Sequence, residues 1–112
     1  MTTGFVWHEL YMWHNTWNWA QIFQPSLTVQ PGEHAENPET KRRFRNLLDV
    51  SGMLDALTPV KARPATEDEI ARFHTREHIA GIKEKSLGFL TDAGGMTAMG
   101  RGSYEIACLS AG

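Results

Sequence analysis

The order of three local patterns limits this chain to an α/β fold. Residues 4–7 (Gly-Phe-Val-Trp) are a short apolar run typical of a strand buried on both faces of a parallel sheet. Asn37-Pro38 predicts the start of an amphipathic helix running to about Val50. Residues 59–63 alternate like a second strand, with Pro59 tolerable only at its first position. A strand, a helix and a strand in this order predict a right-handed parallel crossover.

The second half of the chain is predicted to be helical around one glycine-rich loop. Residues 66–69 (Thr-Glu-Asp-Glu) have the pattern of a capping box and should begin a helix. Thr75 indicates a further helix that carries Ile79, Ile82 and Leu87. A glycine-rich loop over 88–102 and a last helix capped by Ser103 follow. We therefore expect about two parallel strands and three or four helices.

Residues 8–37 form a long irregular segment rich in tryptophan. A loop of this length without periodicity is uncommon in a compact domain and usually lines a site or an interface. Its Tyr11, Trp13, Trp17 and Trp19 suit a sugar-stacking or partner surface if exposed, and plain packing if buried.

Composition excludes some classes of partner. The 112 residues suit one domain or part of one, and the formal charge of −2 gives no basic field for nucleic acid. The basic run 41–45 lies on the predicted helix and is best explained as a solvated face. No stretch has the signature of a secretion signal or a membrane helix, so we expect a cytoplasmic location and no membrane partner. The single Cys108 is interpreted as a small buried hydrophobe.

Residues 74–78 (His-Thr-Arg-Glu-His) fit an inverted zinc-peptidase pattern. That interpretation requires one continuous helix through both histidines. Thr75 instead has the character of a helix cap, which leaves His74 outside the turn. We therefore favour a structural role for both imidazoles.

Several of these patterns, in this order, resemble the opening of the histone deacetylase superfamily, specifically its class II and bacterial amidohydrolase-like members. Residues 3–6 are similar to the first strand of that family, and 34–43 to its His-Pro-Glu-x-Pro stretch entering the first helix. Residues 57–67 resemble its second strand and capping box. Residues 73–79 are similar to its His-(Ser/Thr)-x-x-(Tyr/His)-aliphatic signature, and 102–112 to the helix before its catalytic half.

The resemblance implies an incomplete piece of the arginase/deacetylase-type open parallel sheet, with residues 1–112 as the N-terminal portion of a deacetylase domain. Family members use zinc to hydrolyse an acyl amide, with a histidine as base. Their Pro-Gly-His-His pair, Asp-x-His, further Asp and Tyr come later in the chain and are absent here. We therefore expect no catalytic residue, no metal ligand and no zinc bound to this chain.

What the resemblance does imply for this chain is a set of residues at the rim of the substrate tunnel. Asp92 matches an acidic loop residue near the tunnel mouth, although a solvated loop aspartate is an equal alternative. Arg42 or Arg43 matches an arginine lining an inner channel. The rim set is completed by Trp13, Trp17 and His34.

Two functions of different class follow. In the first, the chain is the N-terminal fragment of a zinc-dependent deacetylase acting on acetyl-lysine or acetylated small amines, and is inactive alone. In the second, it is a noncatalytic binding or assembly module. In either case uncovered strand edges and faces predict a homo-oligomer.

Overall fold

The predicted parallel crossover is present in the computed structural model, which describes residues 2–112. Strand β1 (Gly4–Val6) pairs in parallel with β2 (Thr58–Val60), with Gly4 opposite Thr58 and Val6 opposite Val60. Helix α1 (Glu39–Val50) connects them, preceded by a 3-10 helix (Glu9–Trp13) and followed by another (Met53–Ala56). The predicted α/β class and the parallel pairing are therefore confirmed.

The ends of α1 follow its sequence signals. The Asn37 side chain accepts a hydrogen bond from the Glu39 amide at 3.0 Å, so it satisfies a free donor at the helix start. Beyond the C-terminus, Gly52 adopts a left-handed backbone with φ of 72°, a conformation that favours glycine. The start and the end of the predicted helix are both confirmed to within a residue or two.

The next two helices begin where their caps predict. In α2 (Glu67–Ile70) the Thr66 hydroxyl accepts from the Glu69 amide and the Glu69 carboxylate accepts from the Thr66 amide, which completes the capping box. In α3 (Arg76–Lys85) the Thr75 hydroxyl accepts from the His78 amide at 3.2 Å. Leu87 was expected on α3 but lies beyond its end and is exposed.

The glycine-rich loop contains a hairpin that the sequence did not predict. Strands β3 (Thr91–Asp92) and β4 (Ala98–Met99) pair antiparallel. Helix α4 (Ser103–Ala111) follows, and its N-cap is Gly102, with φ of 82°, rather than Ser103. The prediction of a serine cap was wrong because the Ser103 hydroxyl accepts instead from the Gly100 amide, one turn back in the loop.

The small core is built from α1, α3, α4, the β3–β4 hairpin and the segment before α1. Its buried apolar residues are Trp19, Leu48, Ile79, Ala98, Met99, Cys108 and Leu109. The prediction that the first strand is buried on both faces is wrong for this chain, since Gly4 and Val6 are exposed and Phe5 is half-buried. The second strand is also shorter than predicted and is exposed along its length. A molecule 19 Å thick in its shortest dimension has few layers with which to cover a sheet.

Candidate functional site

Two irregular segments meet and form a concave surface. We call residues 14–37 the aromatic loop and residues 88–102 the glycine-rich loop. The Trp17 indole Nε1 donates to the Met99 carbonyl at 3.0 Å. A second bond joins the His34 Nε2 to the Met96 carbonyl at 3.2 Å. Residues far apart in sequence are thus fixed together by side-chain bonds to backbone.

His34 acts as a buried connector between the loops. It is 4% exposed, and its Nδ1 accepts a hydrogen bond from the Glu36 amide at 3.0 Å. Because Nδ1 accepts, Nε2 carries the proton and donates to the Met96 carbonyl. Its ring also packs against the buried Trp19, with centroids 5.3 Å apart. Both ring nitrogens are therefore engaged within the protein.

His14 is the titratable group at the base of the site. Its Nδ1 lies 3.1 Å from the Ser103 hydroxyl oxygen. Burial lowers the pKa of its imidazole below the ordinary 6.5, and the nearby His34 lowers that pKa further, while a hydrogen bond with the Ala98 backbone opposes the shift. The lowered pKa favours the uncharged imidazole near neutral pH, and in that form the ring is hydrogen-bonded to the Ser103 hydroxyl through Nδ1.

The two loops meet α3 and α4 at Gly100. Its amide donates to the Ser103 hydroxyl at 2.9 Å, and its carbonyl accepts from the Ser86 hydroxyl at 3.4 Å. A Cβ at this position would lie 2.9 Å from the Phe89 carbonyl oxygen. Only glycine allows this close approach of two backbones.

Between the two loops lies a cleft of about 620 Å³, which we call the loop cleft. Its lining is aromatic and amide-bearing, and includes Asn15, Trp17, Trp19, Gln24, Phe89 and Leu90. His14 is its titratable lining residue. A surface of this kind suits stacking and hydrogen bonding to a neutral group, and offers no acid and base pair for catalysis.

Asp92 occupies the start of the hairpin turn. Its Oδ1 accepts from the amides of Gly94 at 2.7 Å and Thr97 at 3.0 Å, so the carboxylate orders the glycine-rich turn. These two hydrogen bonds account for an aspartate at this position without any contact to a substrate. A role at the tunnel mouth remains a prediction.

The other expected rim residues lie at the α1 end of the molecule. Trp13 is 68% exposed at the end of the first 3-10 helix. Arg42 reaches back to that helix, with its guanidinium 2.8 Å from Glu9 and 3.2 Å from Glu39. These carboxylates raise the pKa of the guanidinium, and Arg43 is exposed on the same helix. The structure thus brings together Trp17, His34 and the Asp92 hairpin, but places Trp13 and both arginines elsewhere.

The two histidines of the 74–78 pattern stack with ring centroids 5.0 Å apart. As predicted, Thr75 caps α3, so His74 precedes the helix. Among residues 2–112 there is no group of three or more histidine, cysteine, aspartate or glutamate side chains arranged to hold a metal ion. Within the same range, no helix has the length and hydropathy needed to cross a bilayer.

Comparison with known proteins identifies the family. The chain is 41% identical, over 98% of its length, to the histone deacetylase-like amidohydrolase of Pseudomonas aeruginosa. Its backbone matches the crystal structure of the HDA15 HD domain over 97% of the chain, with a TM-score of 0.79 and 23% identity. No family model matches the chain. The two matches define the class as a deacetylase-type α/β fold, and the sequence match shows that the chain is a segment of the histone deacetylase superfamily.

The match covers this chain almost fully but its relatives only in part. The chain spans 30% of the Pseudomonas aeruginosa protein and 28% of the HDA15 domain. The family implies a metal cofactor in the full-length protein, and the described residues contain no cluster to hold it.

Sequence reasoning missed the most buried parts of the site. Trp19, 2% exposed, has the same local sequence signal as the other tryptophans of its loop, and His14 belongs to no motif. Ser86 and Ser103, which fix Gly100, carry no sequence signal for burial. The glycine-rich loop itself is a signal for such residues. Glycine allows backbones to pack closely, and the backbone amides and carbonyls buried in this way need polar side chains as hydrogen-bonding partners.

Proposed function

We propose that this chain is the scaffold and rim portion of a zinc-dependent deacetylase, and that it hydrolyses no amide alone. The full-length protein would act on acetyl-lysine or acetylated small amines. The observation that carries the proposal is the 41% identity to a histone deacetylase-like amidohydrolase along nearly the whole chain.

The internal contacts support a positioning role for the loops. Direct hydrogen bonds from Trp17 and His34 to the glycine-rich backbone fix the two loops against each other beside the loop cleft. Pre-organised polar and aromatic loops of this kind orient a substrate beside chemistry supplied elsewhere. Arg42, Arg43, Trp13 and Asp92 remain proposed contributors to the substrate rim.

The residues of this chain do not fit a catalytic metal. A hydrolytic zinc site needs three protein ligands and an open position, and residues 2–112 bring no such set together. No step of hydrolysis is therefore assigned to side chains of this chain. Its contribution is to position loops and to complete the sheet.

The test is a chimera in which this chain replaces the matching segment of the Pseudomonas aeruginosa amidohydrolase. We expect the chimera to release acetate from a fluorogenic acetyl-lysine substrate, and to lose that activity with a chelator and regain it with zinc. The isolated chain, with or without added zinc, should give no turnover above buffer.

The matched control is a chimera carrying Trp17→Phe, which keeps the ring but removes the indole donor to Met99. We expect the activity of this variant to fall roughly 5- to 10-fold, which corresponds to the loss of one hydrogen bond. A folded, zinc-loaded chimera without activity would contradict the proposal, as would turnover by the isolated chain.

A noncatalytic assembly module is the second candidate. It is favoured by the many large apolar side chains left exposed, among them Phe44, Leu47, Val50, Phe73 and Leu87, since large uncovered patches mark interaction surfaces. An inactive chimera, combined with a stable complex between the chain and another protein, would support it.

A further inference from the structure

Two histidines of the aromatic loop bond to residues at the glycine-rich loop. The His34 Nε2 lies 3.2 Å from the Met96 carbonyl oxygen, and the His14 Nδ1 lies 3.1 Å from the Ser103 hydroxyl oxygen. A further hydrogen bond links the His14 ring to the Ala98 backbone. The contact between the two loops therefore depends on two imidazoles, side chains that titrate in the physiological range.

The hydrogen bonds of His34 require a neutral ring. Its Nδ1 accepts from the Glu36 backbone amide at 3.0 Å, and an amide nitrogen can only donate. A proton on Nδ1 would set two N–H groups against each other, so the imidazolium form loses this bond. Because His34 is 4% exposed, water does not replace the lost partner unless the loop moves.

The Ser103 hydroxyl favours a neutral ring at His14 as well. Its oxygen already accepts from the Gly100 amide at 2.9 Å, and its own proton needs an acceptor. An unprotonated Nδ1 supplies that acceptor, whereas an imidazolium would leave the hydroxyl proton of a buried serine unpaired.

The pKa of His14 sets the pH range of this effect. Burial lowers the pKa of its imidazole from 6.5, and the nearby His34 lowers that pKa further. The neutral ring therefore stabilises the folded loops fully above pH 6.5. This contribution is lost as the pH falls from 6.5 through the lowered pKa.

Two residues of this contact have a strained backbone. Trp17 has a φ of 58° and Met96 a φ of 68°, in the left-handed region that bulky side chains rarely adopt. The Trp17 indole donates to the Met99 carbonyl at 3.0 Å, and Met96 supplies the carbonyl beside His34. Such strain persists only while surrounding contacts impose it, so loss of these bonds favours separation of the loops.

The charged groups nearest to His14 do not offset a positive charge on the ring. Among residues 2–112, no ion pair joins a carboxylate to His14 or His34. Glu36 and Lys41 line a groove together with His14. They pair with each other at 3.9 Å and are mostly exposed, so water screens both charges.

The other titratable neighbours are uncharged, engaged or exposed. Tyr11, from the first 3-10 helix, donates to the Leu109 carbonyl, and burial raises the pKa of its hydroxyl. In the hairpin, the Asp92 carboxylate accepts two amides of its own turn. Glu33 and Arg101 are exposed. Proton uptake by both histidines would therefore place two like charges near each other without a counter-charge.

We propose that His14 and His34 form a pH-sensitive clasp, in which neutral rings hold the two loops together beside the loop cleft and protonation in weak acid releases them. The proton is the ligand of this clasp. Release opens the loop cleft while the helices stay folded, since Glu69, with its pKa lowered to about 2, keeps the α2 capping box charged. The inference does not depend on the proposed function.

The experiment is fluorine NMR of the full chain labelled with fluorotryptophan, titrated from about pH 7.5 to about pH 5. Signals are assigned by replacing each tryptophan singly with phenylalanine. Trp17 and Trp19 report on the loops, and Trp7, whose ring stacks on Phe5 with centroids 6.5 Å apart, reports on the sheet. We expect the Trp17 and Trp19 signals to move toward their positions in the urea-unfolded chain below pH 6.5, while the Trp7 signal stays in place.

The dependence of the opening constant on pH gives the number of protons taken up. In the wild-type chain this number should exceed one, because two rings take part. His14→Asn and His34→Asn each keep an amide oxygen near the Nδ1 position but remove one titratable ring, so each should lower the number to about one or less. The control His8→Asn removes an exposed histidine whose Nδ1 also accepts a backbone amide, that of Leu10 at 3.1 Å, and should leave the number unchanged.

Loop signals that do not move between the two ends of the titration would overturn the inference. Movement of the Trp7 signal together with them would also overturn it, because the transition would then be unfolding of the whole chain. Proton uptake in either asparagine variant equal to that of the His8→Asn control would show that the replaced ring is not part of the clasp.

Discussion

At the scale of single residues, the histidines show how position decides role. His34 is buried with both ring nitrogens bonded, while His74 is exposed and stacks on His78. When a buried polar side chain is removed, its hydrogen-bonding partners are left buried and unsatisfied. This lowers the stability of the fold far more than the loss of an exposed contact does. We therefore expect His34 to be structural first, whatever it contributes to a substrate rim.

His34→Phe should lower the free energy of unfolding by about 2 kcal/mol, because the Glu36 amide and the Met96 carbonyl both lose a partner. The control His74→Phe makes the same change at an exposed site and should alter stability by less than about 0.5 kcal/mol. Urea denaturation followed by tryptophan fluorescence measures both. Equal effects would show that His34 does not join the loops.

At the scale of elements, the sequence predicted correctly those features, such as helix starts, that are determined by residues close together in the chain. Thr66 and Thr75 marked their helix starts correctly, because a cap is decided within four residues. Ser103 has the same local signal, yet a contact with Gly100 decides its role. Burial of β1 likewise depends on what covers the sheet, and the β3–β4 hairpin depends on Asp92 accepting amides across its turn. Local residue patterns therefore indicate helix caps and the periodicity of an element, but they do not indicate contacts between residues far apart in the sequence.

The capping box of α2 should make stability depend on pH. Hydrogen bonds from Arg63, followed by the Thr66 amide, lower the pKa of Glu69 from 4.5 to about 2. The charged carboxylate thus stabilises the native state fully above pH 4.5, and this contribution is lost as pH falls through 2. We expect Glu69→Gln to unfold at lower urea than wild type at pH 7, with the difference narrowing below pH 4.5.

The control for this element is Glu84→Gln, on the exposed side of α3, which should match wild type at every pH. Thr66→Ala removes the other half of the box and should cost about 1 kcal/mol at pH 7. A gap between Glu69→Gln and wild type that stays constant down to pH 3 would show that the carboxylate does not carry the effect.

At the scale of the whole molecule, many large apolar side chains remain exposed to solvent. Leu47 and Val50 on α1 are 65% and 89% exposed, although they belong to a helix whose other face holds the buried Leu48. Exposed apolar area of this extent is normally removed by association. We therefore propose that the isolated chain self-associates through its outer helical faces.

Light scattering at micromolar concentration should give an average mass at least twice that of the monomer, rising with concentration. The double variant Leu47→Lys with Val50→Lys should lower that mass, since it replaces exposed apolar surface with charge. The control Thr40→Lys with Asn46→Lys adds the same two charges to exposed positions of α1 and leaves the apolar residues in place. It separates loss of apolar contact from a change of the net charge of −2. A wild-type chain that stays a monodisperse monomer would contradict self-association, and would mean that its outer apolar residues are tolerated in water singly.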